Sequence, residues 1–490
     1  MLIDTAALEE GHELKADVCI VGGGAAGISI ARALMGSGLQ VLLLEGGGFD
    51  PSGDSQALYV AETKKPETLR NYLGYSRLRY FGGSTNHWYG WCRPLQAHVF
   101  EKRAWVPHSG WPIRREDLNP WYDKACAVVE IPVFPTPETL DDAHTPPLKT
   151  DPSRLQTRLF HYSPPTRFGT VYRDELVDAE NVRLMLDANV LRIRADPAAK
   201  TVTHLELRTM NGQQLTAKAR GVVLATGGIE NARLLLLSDS EQPEGLGNGR
   251  DLVGRFFCDH PEVDVGQAYV SPNARLYANQ AGKPSVRGVL VPPPSLLEEE
   301  QILSGAIQLL PLEAEDKPET ELGDGVAQLV SATYGVDHKR RKSHMFRARV
   351  VTEAAPNPDS RIVLGEDLDA FGQRRIELSW NLTELDTKTL RAHLEVATRE
   401  LGRTLAGRIR GLQGPWTQHI KPGQHHMGTT RMAEDPASGV VDAHCRVHGI
   451  DNLWIAGSSV FPTSGFANPT LTLVALALRL ADHLKTELAP

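Results

Sequence analysis

Apolar residues near the start of the chain fall into two short runs separated by a helical pattern. Ala16-Asp17-Val18-Cys19-Ile20-Val21 is mostly apolar and β-branched, ends in Gly22-Gly23-Gly24-Ala25-Ala26-Gly27, and is followed by the helix-like ISIARALMGSG. Val41-Leu42-Leu43-Leu44 is the second run and ends in Glu45. The pattern predicts strand, glycine turn, helix, strand. Gly221-Val222-Val223-Leu224-Ala225-Thr226-Gly227-Gly228 leads into the helical Ile229–Leu236, which reads as a buried parallel strand with its crossover helix. From Asn181 to Leu215, β-rich runs alternate with turn residues and predict a meander. Near the far end, Asn452–Ser458 holds a short strand. Asn468-Pro469 then opens TLTLVALALRLADHL, with Asn predicted as N-cap and Pro in the first helical position.

Similar elements therefore stand at both ends and in the middle of the chain. They predict an α/β fold (α+β overall): a Rossmann-like domain assembled from residues 10–95, 180–261 and 425–490. Residues 96–179 and 262–424 would supply a substrate-binding domain and connecting segments. The stretch 262–424 has Pro/Gly-rich breaks and strand-like runs such as Arg375–Trp380, which suits an antiparallel sheet with helices on one side. The first unit has the form of a dinucleotide site. Gly22 permits the tight turn, Gly24 lets the backbone approach a pyrophosphate at the helix N-terminus, and Gly27 allows close helix–strand packing. Glu45, 18 residues beyond Gly27, would accept hydrogen bonds from a ribose.

Composition narrows the partners. The 490 residues carry 52 Lys+Arg against 60 Asp+Glu, a net charge of −8, which argues against nucleic acid. No signal peptide is visible at the start and no run of about 18 apolar residues exists, so no membrane span is expected. Five scattered cysteines without a CxxC pair fit a reducing cytoplasm.

Three segments concentrate candidate chemistry. Phe81–Pro94 contains Trp88, Tyr89 and Trp91, and five of the eight tryptophans fall between Trp88 and Trp121. These aromatics suit either a wall for a ring-shaped ligand or the packing of a domain junction. His425 and His426 are adjacent. Neighbouring side chains on a strand point apart and no further ligand stands nearby, so no metal is expected and one histidine is read as an acid/base. In Gly465–Pro469, a helix start would aim positive dipole at its ligand, and Asn468 is either a cap or a site residue. The basic run His338–Lys342 reads as a solvated loop, His260 as structural, and the loops between 262 and 350 as the setting of specificity.

Taken in order, the Gly22–Gly27 motif with Glu45, the Gly82-Gly83 loop, ATGGIENARLLLL from Ala225, HHMGTTRM from His425 and GFANPTLT from Gly465 resemble the glucose–methanol–choline (GMC) family of FAD oxidoreductases over almost the whole chain. The resemblance implies FAD held by Gly22, Gly24, Ala25, Ala26, Gly27, Glu45, Gly82, Gly83, Ser84, Asn86, His87, Val190, Gly227, Gly457, Ser458, Asn468, Pro469 and Thr470. It implies His425 as catalytic base, four residues before the threonine of the GT pair, and Asn468 as its partner. Trp88, Tyr89, Trp91 and His426 are expected at the substrate. The STNHW sequence after Gly82-Gly83 resembles the branch of pyranose oxidases and bacterial sugar or glycoside dehydrogenases. In pyranose oxidases the position of His87 carries a covalent bond to flavin; non-covalent FAD is the favoured expectation here. ENARLLLL departs from the family's usual second signature, which bears on the branch. The implied activity is oxidation of a secondary alcohol to a ketone, foremost a ring hydroxyl of a pyranose or glycoside, by proton abstraction at His425 and hydride transfer to flavin N5. The alternatives are a non-sugar alcohol and a non-redox FAD lyase. Oxygen, a quinone or a partner protein would accept the electrons.

Overall fold

A computed structural model describes residues 1–65, 69, 72–134, 148–270, 286–311, 345–411 and 416–489. The basic run 338–342 and much of the 262–350 loop region lie outside the described residues.

The first apolar runs form β1 (Glu13–Val21) and β2 (Val41–Leu44), parallel and in register from Val18↔Val41 to Val21↔Leu44. Helix α1 (Ala25–Ala33) connects them. All four residues of β2 are buried, which is why VLLL reads as a continuous apolar run. On the outer side, β6 (Val182–Met185) extends the parallel pairing from β2. The meander is β7 (Ala188–Ala195), β8 (Val202–Thr209) and β9 (Gln214–Leu224), antiparallel throughout. Strand β9 pairs in parallel with β1 along one edge and is long enough to serve two neighbours along the other. Its first residues pair with β8, and Val222–Leu224 pair in parallel with β18 (Leu453–Ile455). The resulting seven-stranded sheet runs β6-β2-β1-β9-β8-β7, with β18 beside β9.

Helix α3 (Gly227–Leu237) follows β9, and α5 (Thr470–Glu487) packs on α1 and on α2 (Arg115–Val128). The start of α5 differs from the sequence expectation. The cap position is Pro469 and Asn468 stands one residue before it, with its amide nitrogen 3.0 Å from His425 Nε2.

A second sheet has eight strands in the order β16-β10-β13-β12-β11-β5-β4, with β17 beside β10. These are β4 (Trp91–Cys92), β5 (Gln156–Tyr162), β10 (Pro261–Val270), β11 (Val286–Val291), β12 (Gly305–Pro311), β13 (Met345–Thr352), β16 (Gly407–Gly411) and β17 (Lys421–Pro422). Its pairings are antiparallel. One face is apolar, because alternate residues such as Val263 and Val265 point the same way. Leu390, Ala397 and Leu401 of α4 (Glu384–Arg403) cover that face. The α4 start is fixed by a capping box in which Thr383 accepts from the Asp386 N–H and Asp386 accepts from the Thr383 N–H. The opposite face keeps Glu262 and Asp264 for polar work. A third, three-stranded sheet joins β3 (Glu62–Lys65), β14 (Arg361–Leu368) and β15 (Arg374–Ser379).

Strands β3 and β4 thus carry parts of the first ninety-five residues into the second and third sheets. A single cut near residue 95 does not separate the layers, since the chain leaves the parallel sheet soon after Glu45 and crosses to the others. A buried bidentate pair, Arg103 with Glu353 at 2.8 and 2.6 Å, binds an early loop to the chain just after β13.

Candidate active site

The carboxyl ends of β1, β2 and β9 open on one cavity of about 700 Å³. At this end the sequence folds as it does because glycine is required. A Cβ on Gly27 would stand 1.9 Å from the Gly22 carbonyl oxygen, and Gly22 itself takes φ +107°. By contrast, a Cβ at Gly24 would meet nothing within 4 Å, so its face is open to the cavity. Helices α1, α3 and α5 start at this cavity, through Ala25, Gly227 and Thr470, and none of the three has a side chain capping its first N–H groups. Uncapped donors and aligned dipoles on one space favour an anionic, phosphate-bearing ligand. Glu45 lies at the end of β2 and lines the space. Its carboxylate accepts from the Gly23 N–H (2.8 Å) and the Gly47 N–H (2.9 Å), so it shapes the glycine turn while keeping further acceptor capacity.

Most residues expected at a cofactor line this cavity: Gly22, Gly24, Ala25, Ala26, Glu45, Gly83, Ser84, His87, Val190, Gly227, Gly457, Ser458, Asn468, Pro469 and Thr470. Gly27, Gly82 and Asn86 do not. Gly27 permits the α1–β1 contact, the Gly82 N–H donates to Gly23, and the Asn86 amide donates to the Phe81 carbonyl (2.9 Å); all three shape the loops that form the wall. The His87 ring is half-buried, and burial followed by the Arg167 charge lowers its pKa.

The other end is assembled from distant segments. Cys258 and Met427 exchange backbone hydrogen bonds of 3.0 Å, and this antiparallel bridge sets His260 against His425. Their Nδ1 atoms are 3.0 Å apart. His425 Nε2 lies 3.0 Å from Asn468 Nδ2. Both histidine backbones are clamped by one carboxylate: Asp259 Oδ1 accepts from the N–H of His260 (2.7 Å) and of His425 (2.9 Å), while Tyr72 OH donates to Oδ2. Burial raises Asp259 to about 7 against the pull of those three donors. The residue before His425, Gln424, sits in the left-handed region at φ 63°. Burial holds the His425 pKa well below 6.5, with the neighbouring His260 and His426 adding to the effect, and burial brings His260 to about 4. His425 thus lines the cavity as a neutral imidazole.

His426 also lines the cavity but has different partners. Its Nε2 is 3.2 Å from Ser76 Oγ and its ring packs edge-on to Tyr72; burial, then the Arg77 charge, lowers its pKa to about 3. The two adjacent histidines therefore do not converge on one point. Of the aromatic segment, Trp88, Tyr89 and Trp91 line the cavity, with Trp88 fixed by a 2.9 Å bond to the Thr166 carbonyl and Tyr89 85% exposed. Trp111 instead packs the interior and donates to Thr463, so the tryptophan cluster is divided between wall and core. Reading the sequence for motifs missed Tyr72, Asp259 and Glu262, and took His260 as structural. Glu262 lines the cavity and accepts from Arg349 at 3.2 Å, alongside Gln308 and Arg287. The signal was the alternation of Glu262 and Asp264 with Val263 and Val265 in PEVDV, which puts charge on one face of a strand.

The family model for FAD dependent oxidoreductases matches residues 17–245, and that for GMC oxidoreductases matches residues 356–477. The chain belongs to the GMC family of FAD oxidoreductases. This GMC enzyme is 24% identical to the fructose dehydrogenase large subunit of Gluconobacter japonicus, over 97% of its own chain and 98% of the relative. It is 35% identical to a C-glycoside 3-oxidase of Microbacterium trichothecenolyticum over 25% of its own chain and 23% of that one. In fold it is similar to pyridoxine 4-oxidase from Mesorbium loti, with a TM-score of 0.60 at 17% identity over 95% and 98% of the two chains. As a GMC enzyme it uses FAD and acts on CH–OH donors. The three uncapped helix starts and the open face of Gly24 fit the pyrophosphate of that cofactor. Among the described residues no helix is long and apolar enough to cross a membrane.

Proposed function

We propose that this GMC enzyme oxidises a secondary ring hydroxyl of a pyranose sugar or glycoside to a ketone, with His425 as the base and Asn468 as the donor that holds the reacting oxygen. The observation that carries the reading is the 3.0 Å approach of Asn468 Nδ2 to His425 Nε2 at the cavity wall. A hydroxyl placed between the two would donate its proton to Nε2 and accept from the amide. Bound FAD supplies the two-electron acceptor for the hydride that leaves the carbinol carbon. Gly22, Gly24–Ala26, Glu45, Gly83, Ser84, Val190, Gly227, Gly457, Ser458 and Pro469–Thr470 would hold the cofactor without a covalent bond to His87. The polar, aromatic wing formed by Trp91, Glu262, Gln308 and Arg349 supports a polyhydroxyl ligand. The relatives named for fructose and C-glycosides support the same class.

The test is anaerobic bleaching of the flavin by a panel of pyranoses and glycosides. His425→Ala should keep its yellow band and lose about 10²–10⁴-fold in reduction rate. Because the His425 pKa lies well below 6.5, the base is already deprotonated through the neutral range. Titration of His425 should therefore add no step to the wild-type reduction rate between about pH 6 and 8, and a step near 7 would report Asp259, whose carboxyl burial raises to about 7. Undiminished bleaching in His425→Ala sinks the assignment.

A further inference from the structure

His260 takes no part in the proposed proton transfer, yet it is 1% exposed and its Nδ1 sits 3.0 Å from Nδ1 of the base. Two nitrogens this close require a proton between them, carried by one ring and accepted by the other. The Asn468 amide decides which. Its Nδ2 can only donate, so His425 Nε2, 3.0 Å away, is the acceptor of that contact and carries the lone pair. The proton of the neutral His425 ring is then on Nδ1, which donates to Nδ1 of His260. His260 keeps its own proton on Nε2, a buried atom without a hydrogen-bond partner among the described residues.

We infer that His260 is a positioning residue that fixes the proton of His425 on Nδ1, so that Nε2 presents its lone pair to the substrate hydroxyl. When Nε2 takes the hydroxyl proton, Nδ1–H becomes a charge-assisted donor to His260 and no further proton has to move. With His260 absent, the neutral ring of His425 is free to carry its proton on Nε2, and such molecules cannot accept from the substrate. Asp259 supports the device by holding the backbone of both rings through one oxygen. This inference rests on the assignment of His425 as base.

The experiment uses FAD-loaded enzyme labelled with ¹⁵N-histidine, the His425 signals being identified by their loss in His425→Ala. A pyrrole-type shift for His425 Nδ1 and a pyridine-type shift for Nε2 are expected; the opposite pattern overturns the inference. His260→Phe keeps a ring and removes the acceptor, and should slow flavin reduction about 10- to 100-fold, the scale on which partners that orient a ligating histidine act. His260→Asn, whose amide oxygen can stand in for Nδ1, should recover most of that loss at unchanged FAD content. An Asn variant as slow as Phe, or a Phe variant as fast as wild type, overturns the inference while His425→Ala remains slow. If His425→Ala itself reduces normally, the base assignment has failed and the inference falls with it.

Discussion

At one end of the cavity, Gly22, Gly24, Ala25, Ala26 and Glu45 come from one short stretch of chain, and the turn is dictated by which positions can be glycine. At the other, Tyr72, Asp259, His260, His425 and Asn468 come from four segments brought together by a backbone bridge, a shared carboxylate and a buried ion pair nearby. The first end admits no added volume at Gly22 and Gly27, and its contacts are made mostly by backbone. The second depends on polar contacts made at long range, each of which can be removed singly without filling a space.

This contrast can be broken from either side. The largest effect is expected from Gly27→Val, because a side chain cannot share the 1.9 Å gap to the Gly22 carbonyl oxygen; the purified protein should be colourless, and a normal 450 nm flavin band would refute the steric argument. Next is Arg103→Met, which leaves the Glu353 carboxylate buried and unpaired; a loss of about 3–5 kcal/mol in denaturant unfolding is expected. The surface pair Arg32–Glu175 at the nucleotide end should yield no more than about 1 kcal/mol in the same measurement. Asn468→Asp removes the amide donor and should lower the rate of flavin reduction by about 10²-fold with the fold intact, as loss of one preorganised donor does elsewhere. An unchanged rate would return Asn468 to a role in the loop alone. Smallest is Ser76→Ala: it deletes the 3.2 Å contact to His426 and should cost about 1 kcal/mol of stability with little change in rate, since it leaves the His425–Asn468 contact in place.

The same contrast explains what could be read from sequence. Val18–Val21, Val41–Leu44 and Val222–Leu224 are apolar on both faces, and their strand pairing follows from local pattern plus the glycine turn. The meander from Asn181 was legible for the same reason, and the five motifs taken together pointed to His425 and Asn468, which the structure brings within 3.0 Å of each other. What local pattern cannot convey is partnership at a distance. His260 looks like any histidine beside a proline until Cys258 finds Met427, and nothing around Tyr72 announces a carboxylate from β10's approach. Asn468 misled in a different way. An Asn-Pro pair before an apolar helix is a good capping sequence, but α5 begins one residue later than that pattern predicts, and the Asn468 amide nitrogen contacts a ring 43 residues earlier. Two-residue β4 carries too little pattern to reveal from sequence that it pairs with β5 in the second sheet.

The lining of the cavity also bears on how the molecule is assembled. Gly22, Gly24–Ala26 and Glu45 face it from one stretch of chain, and Gly457, Ser458 and Pro469–Thr470 face it from another more than four hundred residues away. Strand β18, which leads into the second group, is held by its pairing with Val222–Leu224 of β9. The cradle is therefore whole only once these distant segments have met, and a polypeptide in which the first strands alone have paired presents half of it.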